Sequence, residues 1–220
     1  MEIETQYREI IRKVNRYTNG TAVSEMSELG INYPKSRGVD IVTLRNIATE
    51  IGKNHDLAML LWRSEGFREA RILATMIEDP NCVSFDQMDE WISGVYNLEI
   101  AEQACINLLD KTIPKYEKSM EWCFNPNPLV KYTGFLLLSR IAFTDKKAPC
   151  SIFENYFPAI MLSADSSESF VKRAIVQALY RISQRCTCLR NGINSLVEKI
   201  ELTHPEFAQW AKSELDAYSV

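Results

Sequence analysis

The chain has 220 residues, of which 46% are apolar and 25% charged, and carries a net charge of −4, the balance of an ordinary globular protein and not of a collagen-like or disordered one. No apolar run reaches the roughly 18 residues that a membrane span needs, and the start Met1-Glu2-Ile3-Glu4-Thr5 is acidic and lacks the pattern of a signal peptide. Six cysteines (Cys82, Cys105, Cys123, Cys150, Cys186, Cys188) lie scattered through helical patterns, which reads as reduced, mostly buried thiols in a cytoplasmic protein.

Apolar residues recur at i, i+3 and i+4 almost throughout, and no stretch alternates long enough to predict a strand. Ile3, Tyr7, Ile10, Ile11 and Val14 share one face of a helix over 2–17. Asn19-Gly20 is expected to end it, because glycine readily takes the left-handed conformation that closes a helix. A short helix over 23–29 and a loop from Gly30 to Gly38, broken by Pro34, come next. Asp40 is a good N-cap for a helix carrying Val42, Leu44, Ile47, Ala48 and Ile51. Residues 55–63 and 67–77 read as a helical hairpin turning at Glu65-Gly66, and Asp79-Pro80-Asn81 is a break. Ser84 and Gln87 have capping-box spacing ahead of Met88, Trp91, Ile92 and Val95. Helices over 98–109 and 113–124 follow.

Asn127-Pro128 supplies an N-cap and a first-turn proline to a helix over 129–142. Pro158 is expected to end or kink a helix over 152–162. Residues Asp165 to Glu168 are expected to cap a helix that runs to about Arg185. A helix over 189–200 and a last one from Thr203, where Thr203 and Glu206 have box spacing, complete the chain. One of these helices has a double. Leu129-Val130-Lys131-Tyr132, with Leu138-Ser139-Arg140-Ile141, returns 41 residues later as Phe170-Val171-Lys172-Arg173, with Leu179-Tyr180-Arg181-Ile182. Self-similarity at this period marks an array in which each helical hairpin buries its apolar face on its neighbours. The prediction is therefore all-α, an α-α superhelix of stacked antiparallel hairpins forming one domain over 1–220.

Charge is uneven along this array. Residues 129–190 hold nine Lys or Arg against four acids, a local balance of +5 that leaves −9 for the remainder. A positive face on an acidic protein suits an anionic ligand. Lys131 lies in the first turn after Pro128, Lys172 and Arg173 hold the corresponding place in the second copy, and Arg68 and Arg71 start an earlier helix. A cation at a helix start works against the macrodipole, so local helix stability does not explain these positions. With the free first-turn N–H groups they are expected to form an anion-binding row on the concave side. Metal chemistry has little support: Cys186-Thr187-Cys188 has no second ligand pair, and the imidazoles are His55 and His204 alone. No phosphate-cradling glycine loop is present. The reading is of a protein with no cofactor and no metal.

Three stretches carry a resemblance. Gly38-Val39-Asp40-Ile41-Val42-Thr43-Leu44-Arg45-Asn46-Ile47-Ala48, then Leu61-Trp62 with Glu69-Ala70-Arg71-Ile72-Leu73-Ala74, then Phe170-Val171-Lys172-Arg173-Ala174-Ile175 with Ala178-Leu179, resemble helices of the DNA alkylation repair enzymes. That family has HEAT-like repeats and includes alkylpurine DNA glycosylases. The likeness covers roughly residues 33–200 and implies a duplex held in a concave cleft. In active members a tryptophan and an aspartate lie against the sugar of the lesion, where the carboxylate stabilises developing positive charge. The matching positions here are Leu98 and Glu102; an arginine of the middle helix falls on Tyr132, beside Lys131; a late tryptophan falls on Gln177, and the arginine three residues later on Tyr180. Loss of both tryptophans removes the ring faces that would recognise a cationic base.

The function expected from these residues is a DNA-binding member of that family with weak or no glycosylase activity. The alternatives are an active glycosylase that excises N3- or N7-alkylated purines, and a protein-interaction scaffold that does not bind DNA. The partner is expected to be double-stranded or branched DNA, gripped by its phosphates on the concave face of a monomer. Glu102 is the candidate catalytic residue. Arg68, Arg71, Lys131, Tyr132, Lys172, Arg173, Gln177, Tyr180 and Arg181 are the candidate DNA contacts.

Overall fold

The computed structural model describes residues 2–29, 31–64 and 66–217. Among them every regular element is a helix, and strand-like pairing is confined to one isolated bridge between Lys35 and Phe67. The chain divides into two units, Met1–Ile113 and Pro114–Val220.

The first unit contains α1 (Glu2–Arg16), α2 (Gly20–Glu28), α3 (Ile41–Ile51), α4 (His55–Trp62), α5 (Arg68–Ile77), α6 (Phe85–Gly94) and α7 (Leu98–Asn107), then a 3-10 turn at Leu109–Lys111. Short polar side chains set the starts. Asn19, Asp40, Asn54, Ser84 and Asn97 each accept from the backbone N–H three residues on, satisfying a donor that has no partner within the helix. This corrects the expected role of Asn19-Gly20: the asparagine is committed to Ala22 N–H, so the pair opens α2 and does not close α1. Ser84 caps α6 as expected, yet Gln87 turns its amide to buried Glu78, so the box is half made.

Helix α5 lies at the centre of this unit, packed by α3, α4 and α7, with Ile72, Leu73 and Ile77 fully buried. Its Glu69 is buried too and draws the preceding loop inward, accepting from the backbone N–H groups of Arg37 and Val39 at 3.0 and 3.2 Å. The turn into α5 is made at Gly66, whose φ of +57° and near contact with Pro34 exclude a side chain. Its predicted neighbour Glu65 lies outside the described residues, as does Gly30.

The second unit contains α8 (Lys115–Cys123), α9 (Pro128–Thr144), α10 (Cys150–Glu154), α11 (Phe157–Ser163), α12 (Ser169–Ser183), α13 (Thr187–Glu201) and α14 (Pro205–Ala217). Helix α9 is apolar over most of its surface, from Phe135 and Leu136 to Leu138, Ile141 and Ala142, because both α8 and α12 pack against it, and Lys131 and Arg140 keep a half-exposed polar edge. Asn127 caps it by accepting from Leu129 and Val130 N–H, with Pro128 in the first turn. Gly134 lets α8 approach: a Cβ there would meet Cys123 N at 2.6 Å. The two copies of the internal repeat, α9 and α12, run side by side in the same direction. Tyr132 near the start of α9 meets Phe170 at the start of α12 edge-on, 5.6 Å between centroids, and Arg185 beyond the end of α12 donates to Ala142 O near the end of α9.

Several boundaries differ from expectation. The predicted helix over 113–124 begins only at Lys115, behind Pro114. Pro158 does not kink a continuous helix: the chain breaks at Asn155-Tyr156, and the proline sits in the first turn of α11, where its missing N–H is harmless. Glu168 holds the N-cap position of α12 without a side-chain bond. Thr203 donates its hydroxyl back to Ile200 O in α13, and Pro205 opens α14, so no capping box forms there. None of the six cysteines is in a disulfide, but only Cys105 and Cys123 are buried; Cys82 and Cys188 are exposed.

Candidate nucleic-acid interface

Helix α12 buries Val171, Ala174, Ile175, Ala178, Leu179 and Ile182 against its neighbours. That leaves Lys172 and Arg173, then Gln177, then Tyr180 and Arg181, spaced one helical turn apart along a second face. This face borders a cleft of about 730 Å³ in the second unit, whose opposite side is α14 with Trp210 and Glu214. Five of the nine predicted DNA contacts are thus gathered in one place. Lys172, Arg173 and Arg181 form no ion pair among the described residues. Against these three cations the cleft holds one carboxylate, Glu214.

Arg181 also lies over two rings, 4.5 Å from the centroid of Phe143 and 5.3 Å from that of Tyr180. Phe143 is 45% exposed at the end of α9. Lys146 and Arg140 approach the same ring at 5.0 and 5.9 Å. An exposed phenyl ring surrounded by three cations thus continues the positive character of the cleft.

The remaining predicted contacts have other surroundings. Lys131 does not line the cleft; it stands half-exposed on α9, where its charge bears on the buried Cys123 thiol. Burial nevertheless dominates that thiol and drives its pKa well up. Tyr132 is buried against Phe170. Arg68 is only 4% exposed and is held inside the first unit. Its Nε and Nη2 donate to Glu99 at 2.8 and 2.6 Å, and Nη1 donates to Val39 O at 2.8 Å. Arg71 lies between the rings of Trp62 and Tyr96, at 5.4 and 4.9 Å, and donates to Gly94 O. Arg68 and Arg71 were expected in an anion-binding row; Arg68 is instead buried in ion pairs and Arg71, half-buried, is held between two rings. Arg185, counted in the basic band, is likewise occupied: it ties down the carbonyls of Ala142, Asp145 and Ala148.

A family model described as DNA alkylation repair enzyme matches residues 10–191. The chain belongs to the DNA alkylation repair enzyme family. No curated protein sequence matches it. Its structure is similar to a solved one described as a new family of proteins related to the HEAT-like repeat DNA glycosylases with affinity for branched DNA structures. That match has a TM-score of 0.78 at 17% identity and covers 96% of this chain and 94% of the other. The all-α, HEAT-like fold expected from the repeat is therefore the fold observed.

At the two positions that the resemblance matches to the tryptophan and aspartate of active members, α7 presents Leu98, 38% exposed, and Glu102, also exposed. One turn earlier on α7, Glu99 is pushed up to about 7 by its own burial and by the charge of Glu102, while its two-pronged bond from Arg68 opposes that shift. Gln177 and Tyr180, at the late positions, both line the α12 cleft. No group of three or more His, Cys, Asp or Glu among the described residues could hold a metal ion. On the α14 side, the cleft residues that sequence reasoning missed are Trp210 and Glu214. Their signal was the i, i+4 spacing that puts both on one face of the last helix, a two-residue pattern with little weight until α14 is seen to pack on α12.

Proposed function

We propose that this member of the DNA alkylation repair enzyme family binds branched or damaged DNA through the cationic side of α12 and has weak or no glycosylase activity. The observation that carries the reading is that Lys172, Arg173 and Arg181 border one cleft and are not spent on ion pairs with the protein's own carboxylates. Unpaired cations on one face are what phosphate oxygens require, and their contribution is largely independent of base sequence. The relative's affinity for branched DNA supports the same reading. The weak-activity part rests on the residues at the family's catalytic positions. Leu98 and Gln177 offer no aromatic face, and Glu102 carries its carboxylate one methylene further out than an aspartate, where small displacements of a reacting group are costly.

Band-shift titration of forked and blunt duplexes tests the binding. Lys172→Glu with Arg173→Glu should lower affinity for all DNA sequences alike, by more than tenfold. Unchanged affinity would refute the assignment of this face, and no binding by the parent protein at low salt would leave only the interaction scaffold. Methylated duplex should release little or no 7-methylguanine or 3-methyladenine. Efficient release that Glu102→Gln abolishes would reverse the second half of the proposal.

A further inference from the structure

Phosphate contacts account for the cations of the α12 cleft but leave its aromatic side unexplained. Trp210 lines the cleft while its ring meets buried Phe207 edge-on, 6.1 Å between centroids. That contact fixes the indole plane. Glu214, one turn further along the same helix, lies on the same side. A purely phosphate-binding groove gains nothing from an indole and loses by a carboxylate. A nucleotide uses both: the base stacks on the ring, its amino and imino hydrogens suit a carboxylate, and its phosphate is repelled from Glu214 towards the cations. The volume of about 730 Å³ falls within the range of roughly 300–1,000 Å³ seen for sites that enclose small organic ligands.

A base inside a duplex is already stacked on both faces and cannot reach such a ring. We infer that the cleft between α12 and α14 takes an unpaired nucleotide of the DNA, stacked on Trp210, and that the strand leaves past Arg181 along the cations gathered around Phe143. Arg181 joins the cleft to this cluster, since it lines the cleft and also covers Phe143 at 4.5 Å. Lys146, 5.0 Å from the same ring, then takes a phosphate of the departing strand. This inference rests on the DNA-binding reading and specifies which part of a branched molecule is gripped.

The test places 2-aminopurine in the single-stranded arm of a forked duplex and follows its fluorescence during titration, with a blunt duplex of the same sequence alongside. Binding should quench the arm. Trp210→Leu, which keeps apolar bulk but has no ring, should abolish the quench and weaken fork binding about tenfold, a much larger loss than on the blunt duplex. Phe143 is exposed, so Phe143→Ala leaves the core intact and should weaken fork binding several-fold, giving a second reading should Trp210→Leu loosen α14. Fork affinity and quench unchanged in both variants would overturn the inference and leave duplex binding standing. Absence of any DNA binding by the parent protein would overturn the underlying reading as well. Release of the fork by micromolar dAMP would make the cleft a mononucleotide site and would also refute the strand path.

Discussion

The distinction between buried and available arginines can be measured at Arg68. The residue is 4% exposed, and its guanidinium satisfies Glu99 with two bonds, at 2.8 and 2.6 Å, and Val39 O with a third at 2.8 Å. In Arg68→Met the apolar stem is largely kept. The fully buried Glu69 and the three-quarters-buried Glu99 would lose the cation they share. Breaking a buried ion pair by removing one partner costs about 3–5 kcal/mol, because the remaining charge stays desolvated. For a chain of this length each kcal/mol moves the melting temperature by about 2–4 °C, so a fall of roughly 6–20 °C is expected by calorimetry or circular dichroism. Adding Glu99→Gln should recover part of that loss. DNA affinity, measured well below the melting transition, should stay at the parent value. A variant with the parent's melting temperature but weaker DNA binding would refute the argument and return Arg68 to the anion-binding row.

Asp145 joins two helices by accepting from Lys115 Nζ at 2.8 Å and Tyr116 OH at 2.9 Å, and the Lys115 bond is the chief cause that holds its carboxyl at about 2 against an ordinary 3.8. The folded pKa is the lower one, so its contribution, about 1–2 kcal/mol after allowance for solvent screening, is complete above about pH 4 and is lost as the pH falls towards 2; urea midpoints should decline over that window in the parent and less in Asp145→Asn. Gly134→Ala would push a Cβ to 2.6 Å from the backbone of α8, and since backbone cannot swing aside, a net loss of about 1–3 kcal/mol should appear in denaturant unfolding despite the better helix propensity of alanine. Asn127→Ala removes the acceptor of Leu129 and Val130 N–H at the start of α9 and should cost about 1 kcal/mol, read from the same unfolding curves.

The parts of the fold that could be read from sequence are those in which one segment decides its own state. Helix α9 carries apolar residues at helical spacing behind an Asn-Pro start, so its state could be read locally, and its likeness to α12 foretold that the two would lie together. Asp40, Ser84 and Asn127 capped where expected because a short polar side chain before a helix needs nothing from elsewhere. Thr203 misled for the opposite reason: its hydroxyl had a nearer acceptor in Ile200 O, which box spacing does not register. The candidate site was half legible. In sequence, Arg68 and Lys172 are equivalent cations in first turns. They part company because α5 is enclosed by α3, α4 and α7, with Glu99 brought up from 31 residues away, whereas the basic side of α12 faces the cleft bordered by α14. Only tertiary packing carries that information. The same holds for Trp210, whose meaning depends on which helix it faces.

That sorting of cations also bears on how an acidic chain can hold a polyanion. At ionic strength near 0.1 M charges more than about 10 Å apart are largely screened, so the net charge of −4 matters less than what lies beside each phosphate. If every basic residue of 129–190 met a phosphate, the slope of log affinity against log salt would be about −8; the three cations of the cleft alone imply about −2.7 on duplex. Arg185 is spent on carbonyls and Lys131 stands off the cleft, so the smaller value is the expected one. Lys172→Glu should flatten it by about one unit. A forked substrate, whose arm also meets Lys146, should give a steeper slope than the blunt duplex, and the excess should shrink when Lys146 is neutralised. A slope near zero would mean that phosphates are not held at all. One as steep as −6 on blunt duplex would mean that a broader surface than the α12 cleft is engaged, and the partition between structural and available cations argued from the buried Arg68 would then be wrong.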